Sequence, residues 1–488
     1  MLTTEVPTRA ELVQRASDLA PLIQQHAAWA EENRRLSDEA IDAIAGAGLF
    51  RLRTPARYGG YEVDTRTLVD VAAQLSRADG STSWAASVYW IPTWMACQFP
   101  DQVQDEVFST PDVRICGTLS PSAMATPVDG GVVVNGKWGF ISGAPHAHWQ
   151  EIVAIQVGPD TEPMPIIALV PMSDLIIVDD WYTSGLKGTG SVSTVANEVF
   201  VPQDRIMPLP AILQGQGFSE INSKSPIYNA PLLPVAAASS VGSVLGLGFA
   251  AQDTFMQRLP ERKISYTTYT SQGEAPLTHL QVSDASMKID EAEFHAHRLA
   301  SVVDTKCAER SEWTIADRAK ARADMGAVCK LAKDAVEILN SASGGSSIYS
   351  DVPMQRISRD VQAINLHALM HPDTNSELYG RILCGQEPNT LYIGASVPRP
   401  SGAACRAGLL AVGGRGRTTT TPMVGLTIGV VVFPRRGVRL RPGPPRAASP
   451  RLPKGRPSPQ PGTTGAVPRT LFQRGEIIAP AMAAMARR

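Results

Sequence analysis

The chain has 488 residues, 43% hydrophobic and 19% charged, with a formal net charge of −1, which gives ordinary globular composition and length enough for two or three domains around a sizeable core. That near-zero charge hides a division, because from Ser396 onward sixteen Lys and Arg stand against the single acid Glu476, so an acidic body carries a basic tail. The six cysteines (Cys97, Cys116, Cys307, Cys329, Cys384, Cys405) are scattered without a C-x-x-C pair, no apolar h-region opens the chain, and no run of about eighteen apolar residues appears. A disulfide framework, export and membrane insertion are therefore not expected, and the expectation is a cytoplasmic protein with reduced thiols.

Thr8-Arg9-Ala10-Glu11 has the capping-box pattern, and apolar residues follow at helical spacing through Leu12, Ala16, Leu19 and Leu22. LSDEAIDAIAGAGLF predicts a second helical stretch ending in glycines, RTPARYGGYEVD a turn, and TLVDVAAQLSRADGSTSWAASVYW further helix. Near Cys116 the period becomes extended: GGVVVNGKWGFISG predicts an Asn135-Gly136 turn between short strands, and EIVAIQV, PIIALVP, LIIVDDW and NEVFVP continue to about Pro202. Five or six short strands predict a compact barrel or sandwich. From about Pro231 to Tyr392 long Ala-rich stretches predict a bundle of four or so antiparallel helices.

RDVQAINLHALMHP (359–372) puts His367 and His371 four residues apart on what reads as a helix that Pro372 ends. That spacing also serves zinc, but the zincin pattern needs Glu where this chain has Ala368, so no metal is expected. A catalytic base with a bystander and ordinary helix-end packing both remain open on the residues alone. His146 and His148 form an H-x-H without an evident third ligand.

The order of LFRLRTPARYGGYEVD, ADGSTSWAAS, GKWGFISGAPHAHW, DWYTSGLKGTGS, VFVPQDRI and RDVQAINLHALMHP resembles the acyl-CoA dehydrogenase fold. More narrowly it is similar to the two-component flavin-dependent monooxygenases on that fold, such as phenol and 4-hydroxyphenylacetate hydroxylases. The resemblance implies an α+β, mainly α chain: an N-terminal helical domain (1–115), a middle β-barrel (116–215), a four-helix bundle (225–395) and, outside it, the tail (396–488). It implies diffusible reduced FMN or FADH2 from a separate NAD(P)H-dependent flavin reductase, O2 as co-substrate, and hydroxylation of a small aromatic, phenolic substrate through a C4a-hydroperoxyflavin. No G-x-G-x-x-G fingerprint is present, in keeping with a flavin that arrives reduced.

Residue by residue, the resemblance makes His367 the base that polarises or deprotonates the phenol, with His371 a second substrate contact, while Ala368 stands where many dehydrogenases keep a carboxylate base. Trp138 and Ser142 fall on the flavin-facing strand and turn, the serine hydroxyl near flavin N5. Thr189 and Ser191 fall on the loop approaching the isoalloxazine, and Arg262 on the segment reaching a neighbouring subunit's flavin, which implies a homotetramer. Where some relatives place a second histidine this chain offers Ser87, Val88, Tyr89 and Trp90; Tyr89 is the candidate hydrogen-bond donor to substrate, and the alternative is that its stripe with Trp84 and Trp94 is simply core. The readings kept beside this one are an acyl-CoA dehydrogenase with a relocated base, an N- or S-oxygenase, and an inactive binding protein.

The tail is rich in Pro, Arg and Gly and cannot bury enough apolar area to order itself. A nucleic-acid arm is one reading; a frameshift or missed stop near residues 392–400 is the one adopted, and tail peptides recovered from the native source would refute it.

Overall fold

The computed structural model describes residues 6–158, 162–390 and 392–393. The tail and Cys405 lie outside the described residues, and so does the expectation of a frameshift.

Six helices open the chain: α1 (Arg9–Asp18), α2 (Ala20–Asn33), α3 (Asp38–Gly46), α4 (Thr65–Ala78), α5 (Gly80–Ala96) and α6 (Asp101–Val107). The capping box on α1 forms as read, Thr8 and Glu11 each bonding the other's backbone N–H. Asp79 caps α5 by accepting from Thr82 N–H at 2.9 Å.

Eight strands follow among the described residues: β1 (Ile115–Gly117), β2 (Ala123–Val128), β3 (Gly131–Ile141), β4 (Trp149–Gln156), β5 (Met164–Pro171), β6 (Ile176–Val178), β7 (Val192–Pro202) and β8 (Ile206–Pro208). The count exceeds the five or six expected because β1 and β8, three residues long, are too short to show a period and β2 is added beside β3, which takes in both runs around Asn135-Gly136. The sheet order is β6-β7-β3-β2-β4-β5-β8, with β1 parallel to β4.

One turn moves. Asn135-Gly136 lies inside β3, and the hairpin turns instead at Asp129-Gly130, where Val128 pairs with Gly131 and Gly130 has φ +78°. Asp-Gly serves such a turn as well as Asn-Gly does. Asn135 sits at a register irregularity, its Oδ1 accepting from Glu198 N–H at 2.8 Å.

The short helix α7 (Leu209–Leu213) leads to the bundle, α8 (Leu232–Arg258), α9 (Pro276–Glu309) and α10 (Ile315–Ala342), followed by α11 (Pro353–Asn365) and α12 (Pro372–Leu383). By length and mean hydropathy (1.7) α8 could cross a membrane, contrary to the expectation that no such run exists, but 94% of its apolar window is buried against the protein, the signature of a core helix. Helix α5 stands between two cores: Ala85, Ala86, Tyr89 and Trp90 pack with the N-terminal helices and sheet, Trp84, Trp94 and Met95 with the bundle.

Candidate active site

A cavity of about 840 Å³ lies where α5, the sheet, α8 and the end of α11 meet. Helical geometry explains α5's share: Trp84, Val88, Ile91, Pro92 and Met95 fall on one face and line the cavity. Tyr89, five residues beyond Trp84, turns away; it is 1% exposed and donates its hydroxyl to Gly143 O at 2.6 Å. The expectation that Tyr89 binds substrate is corrected, since it pins the turn after β3, and Val88 takes the cavity position.

The strand β3 ends in a second register shift, between Trp138 and Ile141, where Phe140 adopts φ +63°. This bulge sets the side chains apart. Phe140 is exposed, lines the cavity and meets Trp181 edge to face at 5.8 Å. Trp138 points into the core, fully buried, its indole N–H on Val153 O at 2.9 Å, so its expected place against a flavin is corrected.

Ser142 and Ser191 line the cavity and belong to one buried chain of hydroxyls. The Trp84 indole donates to Ser142 Oγ (3.1 Å); Ser142 and Ser191 are 2.7 Å apart; Ser191 and Thr189 are 2.6 Å apart; Thr189 donates to Leu186 O (2.8 Å). The final carbonyl can only accept, and that fixes every proton upstream. Thr189 donates to Leu186, so it accepts from Ser191; Ser191 therefore accepts from Ser142. With its own proton committed and Trp84 donating to it, Ser142 offers the cavity only a lone pair. Thr189 itself stays behind the wall.

His367 sits at this same end, its ring 5.4 Å from that of Trp84 and edge to face with it. It is not on a helix: α11 stops at Asn365, residues 366–371 form a link, and Pro372 starts α12 instead of ending α11. His367 is exposed within the cavity that it lines, and the protein around the ring lowers its pKa to about 4. Leu369 N–H donates to Nδ1 at 3.3 Å, which leaves the proton of the neutral ring on Nε2. In that tautomer Nε2 is a donor and Nδ1 is already occupied. His371 does not line the cavity; its backbone forms the N-cap of α12, and its Nδ1 is buried without a partner.

The loop that carries Thr189 and Ser191 is held by Arg359 and Asp360. Asp360 accepts from Leu186 N–H at 2.6 Å and Arg359 donates to Ser184 O, while a Cβ at Gly185 would collide with the Arg359 carbonyl. Burial, then the neighbouring Asp79, pushes Asp360 up to about 7. A carboxyl with a folded-state pKa above its unfolded value near ~3.9 stabilises below that value and loses the contribution as pH rises through the folded pKa. Asp360→Asn is therefore expected to gain thermal stability relative to the parent as pH increases from about 4 to 7; parallel melting curves across that window check it, and a constant offset would refute it.

Arg262 lies apart from the cavity, bonded to Gln272 Oε1 (3.1 Å) and Ser346 Oγ (2.8 Å) beside Arg258, whose Nη1 is buried without a partner. Burial and then Arg258 lower the Arg262 pKa. Gly344, at φ +62°, opens the adjoining turn, where a Cβ would lie 3.1 Å from Arg262 Nη2. His146 donates Nε2–H to Leu36 O (3.0 Å) and His148 Nδ1 accepts from Arg114 N–H (3.1 Å). Among the described residues no His, Cys, Asp and Glu are grouped to hold a metal.

Three cavity residues were missed in the sequence. From sequence Trp84 reads as core. Glu151, 1% exposed with Oε2 unpartnered, was legible as an acid inside an apolar strand. Arg322, whose Nε donates to Asn375 Oδ1 at 2.6 Å, gives no signal within its helix.

Residues 11–107 match the acyl-CoA dehydrogenase N-terminal domain and residues 238–372 the acyl-CoA dehydrogenase C-terminal domain. The chain is 31% identical to a pigment production hydroxylase of Rhodococcus sp., over 77% of this chain and 96% of that protein. It is 30% identical to the oxygenase component of an FADH2-dependent resorcinol hydroxylase of Rhizobium sp., over 78% and 96%. Among solved structures, XiaF from Streptomyces sp., in complex with FADH2 and glycerol, superposes with a TM-score of 0.74 at 30% identity, over 78% of this chain and 97% of that one. The HsaA monooxygenase of M. tuberculosis does so with 0.74 at 26% identity, over 80% and 100%.

Proposed function

Because the chain belongs to the family of flavin-dependent monooxygenase oxygenase components built on the acyl-CoA dehydrogenase fold, we propose that it hydroxylates a phenolic substrate with O2 and reduced flavin delivered by a separate NAD(P)H-dependent reductase. The observation that carries this reading is Trp84, which joins Ser142 and His367 at one end of a largely apolar cavity.

The residues present fit a reduced flavin. Ser142 offers only an acceptor, which suits the N5–H of the reduced ring and not the bare N5 of the oxidised one. Arg258 and Arg262, side by side at a glycine turn with an unpartnered Nη1, suit a flavin phosphate. Our reading has this pair serve a neighbouring protomer of a homotetramer in the cytoplasm. Reduced flavin, when bound, supplies the electrons that activate O2.

The chain's own part is positioning and charge stabilisation. A ring with pKa near about 4 is too weak a base to remove a phenolic proton with pKa ~10 outright. His367 instead gives Nε2–H to the phenol oxygen and stabilises the negative charge that makes the ring carbons nucleophilic. The apolar wall of α5 keeps water from the reacting centre. The dehydrogenase alternative lacks its base here, since Ala368 lines the cavity and the buried Glu151 lies toward the other end of α5.

Mixing anaerobic protein and reduced FMN or FADH2 with 18O2 and a phenol is expected to give a hydroxylated product carrying one labelled oxygen. Quantitative H2O2 with a full phenol panel, together with oxidation of an acyl-CoA, would overturn the reading.

A further inference from the structure

We propose that the far end of the cavity, at Glu151 and Pro92, binds a hydroxyl group on a second ring of the substrate, which makes the substrate an extended phenol of two or more rings. The inference rests on the aromatic-hydroxylase reading and adds the substrate's size and its second polar group.

The place is fixed by the backbone. Glu151 on β4 pairs with Gly117 on β1, and a methyl group added to Gly117 would lie 3.1 Å from Glu151 Cβ and 3.5 Å from Pro92 Cγ. Glu151 thus faces α5 at Pro92, two helical turns beyond Trp84. Eight residues of helix rise about 12 Å. A benzene ring with two para oxygens covers less than half of that length, whereas two fused rings with oxygens at their far ends, plus a hydrogen bond at each end, fill it.

The chemistry at that end is paired. Glu151 is 1% exposed in an otherwise apolar stretch of wall, its Oε2 has no partner, and burial alone acts on its pKa, raising it well above the usual carboxylate range. A neutral carboxyl offers one O–H donor. Pro92, inside α5, has no N–H to give to the carbonyl of Val88, so an acceptor lies beside it. Val88 and Pro92 both line the cavity. A hydroxyl, donor and acceptor at once, answers both. An ammonium group would require the carboxyl to ionise in an apolar wall with no other charge acting on it, so a neutral hydroxyl is the better match.

The test is equilibrium fluorescence titration of the full-length protein with 2,6-dihydroxynaphthalene and 2-naphthol, alongside turnover with reduced flavin. The diol is expected to bind about tenfold more tightly than 2-naphthol, and hydroquinone no more tightly than phenol, since one ring cannot reach. Glu151→Leu is expected to lower diol affinity to that of 2-naphthol and leave 2-naphthol unchanged, while Glu151→Gln keeps most of the preference. Equal binding of the two naphthols to the parent, or an equal loss of both in Glu151→Leu, overturns the proposal. The four-ligand comparison on the parent decides alone if the leucine variant does not fold. A binding preference without any hydroxylation would count against the oxygenase reading only; hydroxylation without the preference would count against this inference only.

Discussion

Replacement of His367 by alanine is expected to lower hydroxylation by about 10²–10³-fold, the usual cost of deleting one positioned donor to developing negative charge. Reduced flavin should still be consumed by O2 at close to the parental rate, so the lost product should reappear as H2O2. Product and peroxide measured in the same reaction separate this from a folding defect, which would lower both. The pH dependence gives a second, independent reading. A ring pushed down to about 4 is neutral throughout the physiological range, so the parent's coupled rate should show no inflection near ~6.5, the pKa of an unperturbed histidine. It should rise only as the substrate's own hydroxyl begins to ionise. An inflection near ~6.5 that vanishes in His367→Ala would restore the base with an ordinary pKa and refute the donor role.

The second large effect concerns the chain of hydroxyls. In Ser142→Ala the Trp84 indole N–H loses its partner in a buried wall, a cost of about 1–3 kcal/mol, and the cavity loses its acceptor. Coupling of O2 use to product should fall steeply. Ser191→Ala and Thr189→Val are more telling, because they leave Ser142 in place and remove what fixes its proton. Ser142 would then be free to donate as well as accept, and the preference for reduced over oxidised FMN should shrink by about tenfold, roughly 1.4 kcal/mol. Paired dissociation constants for the two redox states, measured anaerobically and in air, test this. An unchanged ratio in both variants would show that the direction of the relay does not matter.

Much of this site was legible because its residues fall in ordered motifs: Ser142, Ser191 and His367 could be named, and all three line the cavity. What could not be read was phase. The helical period of α5 was plain, but Trp84 and Tyr89 are both large and apolar, and only packing against two different cores decides which one faces the cavity. Similarly, strand alternation predicts nothing for Trp138 once a bulge intervenes before Ile141. NLHALMHP reads as continuous helix because each residue tolerates helix. Proline is as much at home in a first turn as after a last one, so Pro372 could not say on which side the helix lay. Glu151 was visible as a charge amid apolar neighbours, but its lack of a partner is a three-dimensional fact.

The opposed faces of α5 have a consequence for how such an enzyme diversifies. The side bearing Tyr89 and Trp90 clamps the scaffold through Gly143 and Leu49, while the other side is a graduated wall from Trp84 to Met95. Exchanges at Val88, Ile91 or Met95 alter the room beyond the reactive end without touching Ser142, His367 or the clamp. Substrate choice and oxygen chemistry can therefore drift separately along a single helix, and a library confined to those three positions is the shortest route to enzymes with a new ring system and an unaltered oxidant.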